Sequence, residues 1–287
     1  MTSSLLGPAQ IRALAAELDL RPSKRHGQNF VIDPNTVRKI VRLAELTDAD
    51  AVVEVGPGLG SLTLGLLEQC QSVTAIEIEP LLADRLGATV AEHQPNNVER
   101  LTIITGDAMT VPVPLAGPEP SALVANLPYN VSVPVLLRML ADLSSISHGL
   151  VMVQAEVAQR LTAGPGSRIY GVPSVKMQWF GTATRAGSVG PKVFWPEPRV
   201  DSGLVRFVRG QAPETASTRQ DVFACIDAAF SQRRKTLRSA LATWAGGSGN
   251  VDQILRQAGV DSSQRGETLK LSDFVAICDA RAVLRAN

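Results

Sequence analysis

Cysteine is scarce in this chain. Cys70, Cys225 and Cys278 are its three cysteines in 287 residues, far apart and without metal-ligand spacing. That excludes a disulfide-stapled scaffold and a cysteine-built metal site, and it reads as buried, reduced thiols of a cytosolic protein. Surplus charge is missing too. The 28 Lys and Arg against 27 Asp and Glu leave +1 at neutral pH. A global electrostatic pull on nucleic acid is thereby excluded, so any basic footprint has to be local. No secretory leader is expected: Ile11, Leu14, Ala15 and Leu18 recur at helical spacing, but Glu17 and Asp19 interrupt an apolar region. The uncharged run over residues 120–137 is about as long as the shortest membrane span. Pro120, Pro128, Pro134 and two Asn residues break it as a helix. It reads instead as a buried strand, a loop and the start of a helix, leaving no membrane segment. Neither an internal repeat nor a low-complexity tract occurs.

What is present is ordinary globular composition, 45% hydrophobic and 19% charged, with length for one large domain or two average ones. Residues 1–20 suggest a short amphipathic helix. A basic, loop-like stretch, Arg21 to Phe30, follows, and Asp33 or Asn35 can cap a second helix to about Leu46. Then short β-branched runs alternate with helical patterns. Strands are expected at 51–55, 73–78, 101–104, 122–125 and 149–153, with helices at 61–68, 80–92 and 156–161. The fold class this implies is α/β, with a mostly parallel sheet covered on both faces. Val193–Val208 reads as the last strands. Gly210–Thr218 is a polar, small-residue linker, which divides the chain into 1–210 and a small helical domain, 211–287. On its helices Phe223, Ile226 and Phe230 fit one face, Leu237 and Leu241 another, and Phe274, Ile277 and Leu284 a third.

Ligands of such sheets bind at the carboxyl ends of the strands. Gly56, Glu77, Asp107 and Asn126 all fall at or just past those ends, which points to one composite site. Gly56-Pro57-Gly58-Leu59-Gly60 lies between a strand and a helix, where backbone N–H groups can face a ligand. Its G-x-G-x-G spacing differs from the dinucleotide pattern. An acid at the next strand end, Glu77, accepts from ribose hydroxyls in several cofactor classes. Asp107, with Ala108 after it, can meet an adenine edge. Asn126-Leu127-Pro128-Tyr129 suits chemistry on an exocyclic amine. The Asn side-chain oxygen and a backbone carbonyl accept the two N–H bonds, the Pro stiffens the turn, and the Tyr ring stacks on the base. Alone, that tetrapeptide is a turn after a strand. In combination with the other three elements it selects a methyltransferase acting on an amino group.

These motifs resemble the ribosomal RNA adenine N6-dimethyltransferases, specifically the bacterial small-subunit (16S) type. The likeness runs over nearly the whole chain. It continues through Gly27-Gln28-Asn29-Phe30, Gln154-Ala155-Glu156-Val157-Ala158, Tyr170-Gly171, Phe194 to Ser202 and Phe230 to Leu237. The resemblance implies a Rossmann-like class I methyltransferase domain followed by a helical RNA- and ribosome-binding domain. It implies S-adenosylmethionine as cofactor, with no metal. The cofactor contacts fall on Gln28, Asn29, Val31, Gly56, Gly58, Gly60, Glu77, Asp107, Ala108 and Asn126. The catalytic loop is Asn126, Leu127, Pro128 and Tyr129, and Phe194 matches an aromatic that sandwiches the target adenine against Tyr129. Val31, Val133 and Ser239 depart from the residues common at their positions.

The implied partner is 16S rRNA, in the small subunit or its precursor, methylated at two adjacent adenosines near its 3′ end by a cytoplasmic monomer. Two basic clusters suit phosphate: Arg21, Lys24, Arg25 and His26, and Arg233, Arg234, Lys235 and Arg238, expected on one helix. A large-subunit (23S) dimethyltransferase and a non-catalytic ribosome-assembly factor are the alternatives. Leu127, Asn130 and the segment Arg233 to Leu237 favour the small-subunit type. A DNA adenine methyltransferase is disfavoured by the absence of Pro-Pro in the loop, and a nicotinamide dehydrogenase by the glycine spacing.

Overall fold

The computed structural model describes residues 5–20, 29–232 and 234–286. The described chain forms two compact units. One takes the chain up to Ala158 and again Thr184–Arg209; the other takes Gln159–Ala183 and the residues from Gly210 onward.

The first unit begins with α1 (Pro8–Glu17), the short strand β1 (Phe30–Val31) and α2 (Pro34–Ala44). Asp33 caps α2: its carboxylate accepts from the Asn35 and Thr36 N–H groups, and Pro34 sits at the first turn, where no N–H is needed. The alternation follows as β2 (Ala51–Val55), α3 (Ser61–Leu67), β3 (Ser72–Glu77), α4 (Pro80–His93), β4 (Leu101–Thr105), β5 (Ala122–Asn126), α5 (Ser132–Asp142), β6 (His148–Gln154) and α6 (Ala155–Leu161). Every residue of β2 and β3 is buried, which is why these strands read as mostly apolar runs without a polar face rather than as alternating ones.

α7 (Val172–Phe180) and β7 (Gly181–Val189) come next, then β8 (Phe194–Trp195) and β9 (Ser202–Arg209). The main sheet runs β4-β3-β2-β5-β6-β9-β7. Its five leading strands are parallel, with Val53 opposite Thr74 on one side and Leu123 on the other. β9 lies antiparallel to β6, Val151 facing Val205. From β2 the chain winds outward through β3 and β4, then returns to start β5 on the other flank of β2. The crevice at that reversal is where a ligand of an open α/β sheet binds.

The sequence expectation did not include β1 or α7, and it differs from the structure at two further places. Val193–Val208 is not a pair of strands in the sheet. Its first part, β8, pairs with β1 in a separate two-stranded ribbon, Val31 opposite Phe194 and Phe30 opposite Trp195. Only β9 joins the main sheet, and the strand at its outer edge is β7, for which no strand was expected. Thr182-Ala183-Thr184-Arg185 and Gly187-Ser188 offer no apolar run, because an outermost strand stays largely accessible to water.

Past Gly210 the described residues hold helices and no strand: α8 (Arg219–Ser231), α9 (Leu237–Ala240), α10 (Ala242–Ala245), α11 (Ser248–Ala258) and α12 (Leu271–Ala286). A reciprocal cap starts α8, the Thr218 hydroxyl accepting from the Asp221 N–H and the Asp221 carboxylate from that of Thr218. Aromatic contacts hold the second unit together. Phe223 meets Trp179 and Phe180 nearly at right angles, and Phe230 lies 6.1 Å from Tyr170 and 6.2 Å from Phe274. The buried Tyr170 hydroxyl donates to the Leu269 carbonyl at 2.9 Å.

Candidate active site

The cavity at the switch point opens between the ends of β2, β3 and β5. Gly56 follows β2 directly, its N–H donating to the Ile76 carbonyl at 2.9 Å. Gly58 sits at φ +57°, and a Cβ there would lie 2.7 Å from the Phe30 ring. Two constraints therefore demand glycine at 58: the left-handed backbone and the ring packed against it. The Gly58 N–H donates to Oε2 of Glu77 at 3.0 Å, and the Glu79 N–H donates to Oε1 at 3.0 Å. Glu77 ends β3 and is 4% exposed. Burial pushes its carboxyl above the ordinary range, and the backbone donors oppose that rise. A carboxylate offers about four acceptor directions; the Ile78 backbone N–H takes a third, so one remains for a ribose hydroxyl.

A second buried acid lies behind the first. Glu54 is 1% exposed, lines the cavity, and accepts from the Thr63 hydroxyl at 2.6 Å. Burial raises its pKa to about 8 against the Thr63 hydrogen bond, and the neighbouring Glu77 charge adds to the rise. Sequence reasoning passed over Glu54 as a site residue. The signal was a lone acid in the otherwise apolar run Ala51-Val52-Val53-Glu54-Val55.

The third wall is the turn after β4. Asp107 accepts the Met109 N–H at 2.8 Å, and its carbonyl accepts those of Thr110 and Val111. Arg138, on α5, grips this turn. Its Nη1 donates to the Ala108 carbonyl and its Nη2 to the Val111 carbonyl, each at 2.7 Å, while Asp142 holds Nε at 3.0 Å. Nothing in the local sequence marked Arg138, because its partners lie about 30 residues away. Ile78 and Met109, 49% and 37% exposed, line the rim, and apolar Leu82 lies beside them. Such a slot suits a flat ring.

Asn126 ends β5. Its Nδ2 donates to the Asn29 carbonyl at 3.0 Å, while its Oδ1 is buried with no hydrogen-bond partner among the described residues. The first contact fixes the amide orientation and leaves an unsatisfied acceptor on a residue that lines the cavity. A buried acceptor left so costs about 1–3 kcal/mol, which a ligand N–H would recover. Leu127 is pinned through its N–H to the Met152 carbonyl at 3.0 Å, and Pro128 packs next to Gly56. The Tyr129 hydroxyl lies 2.6 Å from the Ser202 hydroxyl, and burial raises its pKa. The ring thus stands fixed at the mouth, tied to β9.

One cavity gathers Asn29, Val31, Gly56, Gly58, Glu77, Asp107, Ala108, Asn126, Leu127, Pro128 and Tyr129. Gly60 is not among its lining; it caps α3 instead. Phe194 is also absent from the lining: it is 2% exposed and packed in the core, where β8 carries it. Gln28, Arg21, Lys24, Arg25, His26 and Arg233 lie outside the described residues. Arg234 and Lys235 are exposed in the turn between α8 and α9, not on a helix as expected, because α8 ends at Ser231 and Thr236 starts the next helix with extended backbone. Arg238 is on α9, its guanidinium gripped twice by Asp252 at 2.9 Å. Among the described residues no group of three His, Cys, Asp or Glu could hold a metal ion, and no helix is long and apolar enough to cross a membrane.

The cavity fits the adenosylmethionine that the sequence resemblance implies: a close-approach glycine loop, an acid for a ribose, an apolar slot for a ring and an unsatisfied amide acceptor. Comparison with known proteins points the same way. The profile of the family described as ribosomal RNA adenine dimethylase matches residues 20–279. The chain is 58% identical to a Thermobifida fusca protein named ribosomal RNA small subunit methyltransferase A, over 96% of each. A Kineococcus radiotolerans protein of the same name is 60% identical, over 97% of this chain and 92% of its own. Among solved structures, a dimethyladenosine transferase from Plasmodium falciparum superposes with a TM-score of 0.70 at 21% identity, over 85% of this chain and 94% of the other. That likeness establishes a shared class I methyltransferase fold.

Proposed function

The chain belongs to the ribosomal RNA adenine dimethylase family, and from that premise we propose how its residues carry the reaction. The protein is an adenosylmethionine-dependent dimethyltransferase of 16S rRNA adenines. An aromatic amine is a weak nucleophile because its lone pair is delocalised into the ring. The unpartnered Oδ1 of Asn126 accepts one of its N–H bonds, and the Leu127 carbonyl accepts the other. Both pull the nitrogen towards a tetrahedral, reactive shape. Tyr129 holds the ring by stacking, its orientation set by Ser202. The target adenosine has to leave its stack to reach this pocket. Bound adenosylmethionine supplies an activated sulfonium methyl, an electrophile that requires no Lewis acid. The chain contributes position rather than a covalent intermediate. The Glu77 carboxylate, Gly56–Gly58 and the turn at Asp107 and Ala108 hold the cofactor. Phe194 serves as the second ring wall only if its side chain leaves the core.

The observation that carries this reading is the orphaned Asn126 oxygen, held in place by its own amide nitrogen. The 23S alternative is disfavoured, since the relatives at 58% and 60% identity bear the small-subunit name. A non-catalytic assembly factor has no use for Asn126, Tyr129 and Glu77 around one cavity. We take the substrate to be rRNA within the small subunit or its precursor, at two adjacent adenosines near the 3′ end. The enzyme acts on it as a cytoplasmic monomer, without a membrane.

Labelled adenosylmethionine offered with unmethylated small subunits, large subunits and DNA in parallel tests this. Label is expected on small-subunit adenines alone. Asn126→Ala should abolish transfer while weakening cofactor binding only partly. Near-wild-type turnover in that variant would sink the mechanism.

A further inference from the structure

A second cavity of about 380 Å³ lies in the same unit, lined among others by Gln154, Glu156, Pro191, Arg199, Val200 and Asp201. We propose that it is a subsite for the nucleobase next to the flipped adenosine in a single-stranded RNA; this rests on the reading of the site given above.

Met152 lies opposite Asn126 in the parallel pair β5–β6, and Gln154 is two residues further along β6. With strands about 4.8 Å apart and a rise of about 3.3 Å per residue, the two Cα atoms are on the order of 8 Å apart. On the other side, Asp201 directly precedes Ser202, whose hydroxyl touches that of Tyr129. The cavity therefore flanks Tyr129 on the side away from the glycine loop. A polynucleotide that delivers one base to Tyr129 brings its covalent neighbour within reach of this cleft.

Arg199 offers a planar guanidinium that stacks on, or forks to, a base. Val200 is 46% exposed and offers an apolar face. The Gln154 amide presents both a donor and an acceptor to a base edge. Asp201 lines the cleft together with Arg199, and its carboxylate disfavours phosphate relative to a neutral base. The volume far exceeds the ~30 Å³ share of one water. The backbone of the cleft is stiff where it matters, the Ala155 N–H donating to the Asp201 carbonyl at 2.9 Å.

The test uses small subunits reassembled from rRNA transcripts in which both target adenosines are kept and the base 5′ of the pair, or the base 3′ of it, is exchanged between purine and pyrimidine. Single-turnover methylation is measured with wild type, Arg199→Lys and the double variant Arg199→Ala, Val200→Ser. For the wild type, one of the two changes should slow transfer about tenfold. The double variant should be slowed about as much on the natural sequence, be indifferent to that same change, and bind adenosylmethionine as wild type does. Arg199→Lys should behave like the double variant; full rescue by Lys would indicate a phosphate contact and overturn the base subsite. A double variant as fast as wild type, or as sensitive to the flanking base, overturns the subsite alone. A wild type inactive on small subunits overturns the function, and the subsite with it.

Discussion

Replacing Glu54 by Gln separates the pH dependence of one buried acid from that of the rest of the protein. Gln keeps the shape and can still accept from the Thr63 hydroxyl, so it imitates the protonated acid permanently. In the folded protein Glu54 has its pKa raised from 4.5 to about 8. The folded state therefore keeps a proton that the unfolded chain releases. The stability this group contributes is complete below about pH 4.5 and is lost as pH rises to about 8, at about 1.4 kcal/mol per pH unit. The full loss is on the order of 5 kcal/mol. Glu54→Gln has no proton to lose, so it should gain on wild type across that window. At about 2–4 °C per kcal/mol for a domain of this size, the gap in melting temperature should widen by roughly 3–5 °C per pH unit from pH 5 to 8. Above that it should level off. Differential scanning fluorimetry of the two proteins in matched buffers reads the gap directly, and titrations common to both cancel. A gap that stays constant from pH 5 to 9 would refute the reasoning.

Other expectations test the walls of the site. Tyr129→Phe removes the bond to Ser202, worth about 1 kcal/mol net, but keeps the ring. It should retain single-turnover rates within a few-fold, whereas Tyr129→Ala should lose about 10–100-fold; equal rates in the two would exclude stacking. Arg138→Ala frees the turn at 108–111 and should raise KM for adenosylmethionine about tenfold with kcat nearly unchanged, since the two hydrogen bonds it removes come from a charged group. Arg138→Lys, lacking the fork, should restore only part of it. Charge reversal at Arg234 and Lys235 should weaken small-subunit binding and flatten its salt dependence, by about one unit of slope for each phosphate no longer neutralised. An unchanged slope in filter binding would remove that patch from the RNA surface.

The strands carrying Gly56, Glu77 and Asn126 were legible because a strand buried on both faces must be a β-branched apolar run, and the chemistry sits where such a run stops. Gly58 was legible because its conformation leaves little choice of residue. Other features were hidden for physical reasons. β7 carries too little apolar character to show in a pattern, as its outer edge faces water. β8 is a strand of only two residues, too short for any periodicity, and the resemblance that singled out Phe194 carries no information on the burial of its side chain. Arg138 acts through carbonyls distant in sequence, and backbone acceptors leave no trace in residue identity. Arg234 and Lys235 look helical by composition but precede the cap that restarts the helix.

The tie between Tyr129 and Ser202 spans 73 positions of chain, and that has a consequence for synthesis. β2, β3 and β4 can pair while the ribosome is still adding the residues that follow. Asn126 and its loop emerge later, and Tyr129 then has no hydroxyl partner until β9 is made. The half of the pocket that recognises a nucleoside is therefore complete well before the half that positions the amine. A nascent or truncated chain ending before Ser202 can hold all of the glycine loop and Glu77 yet leave the acceptor ring unanchored.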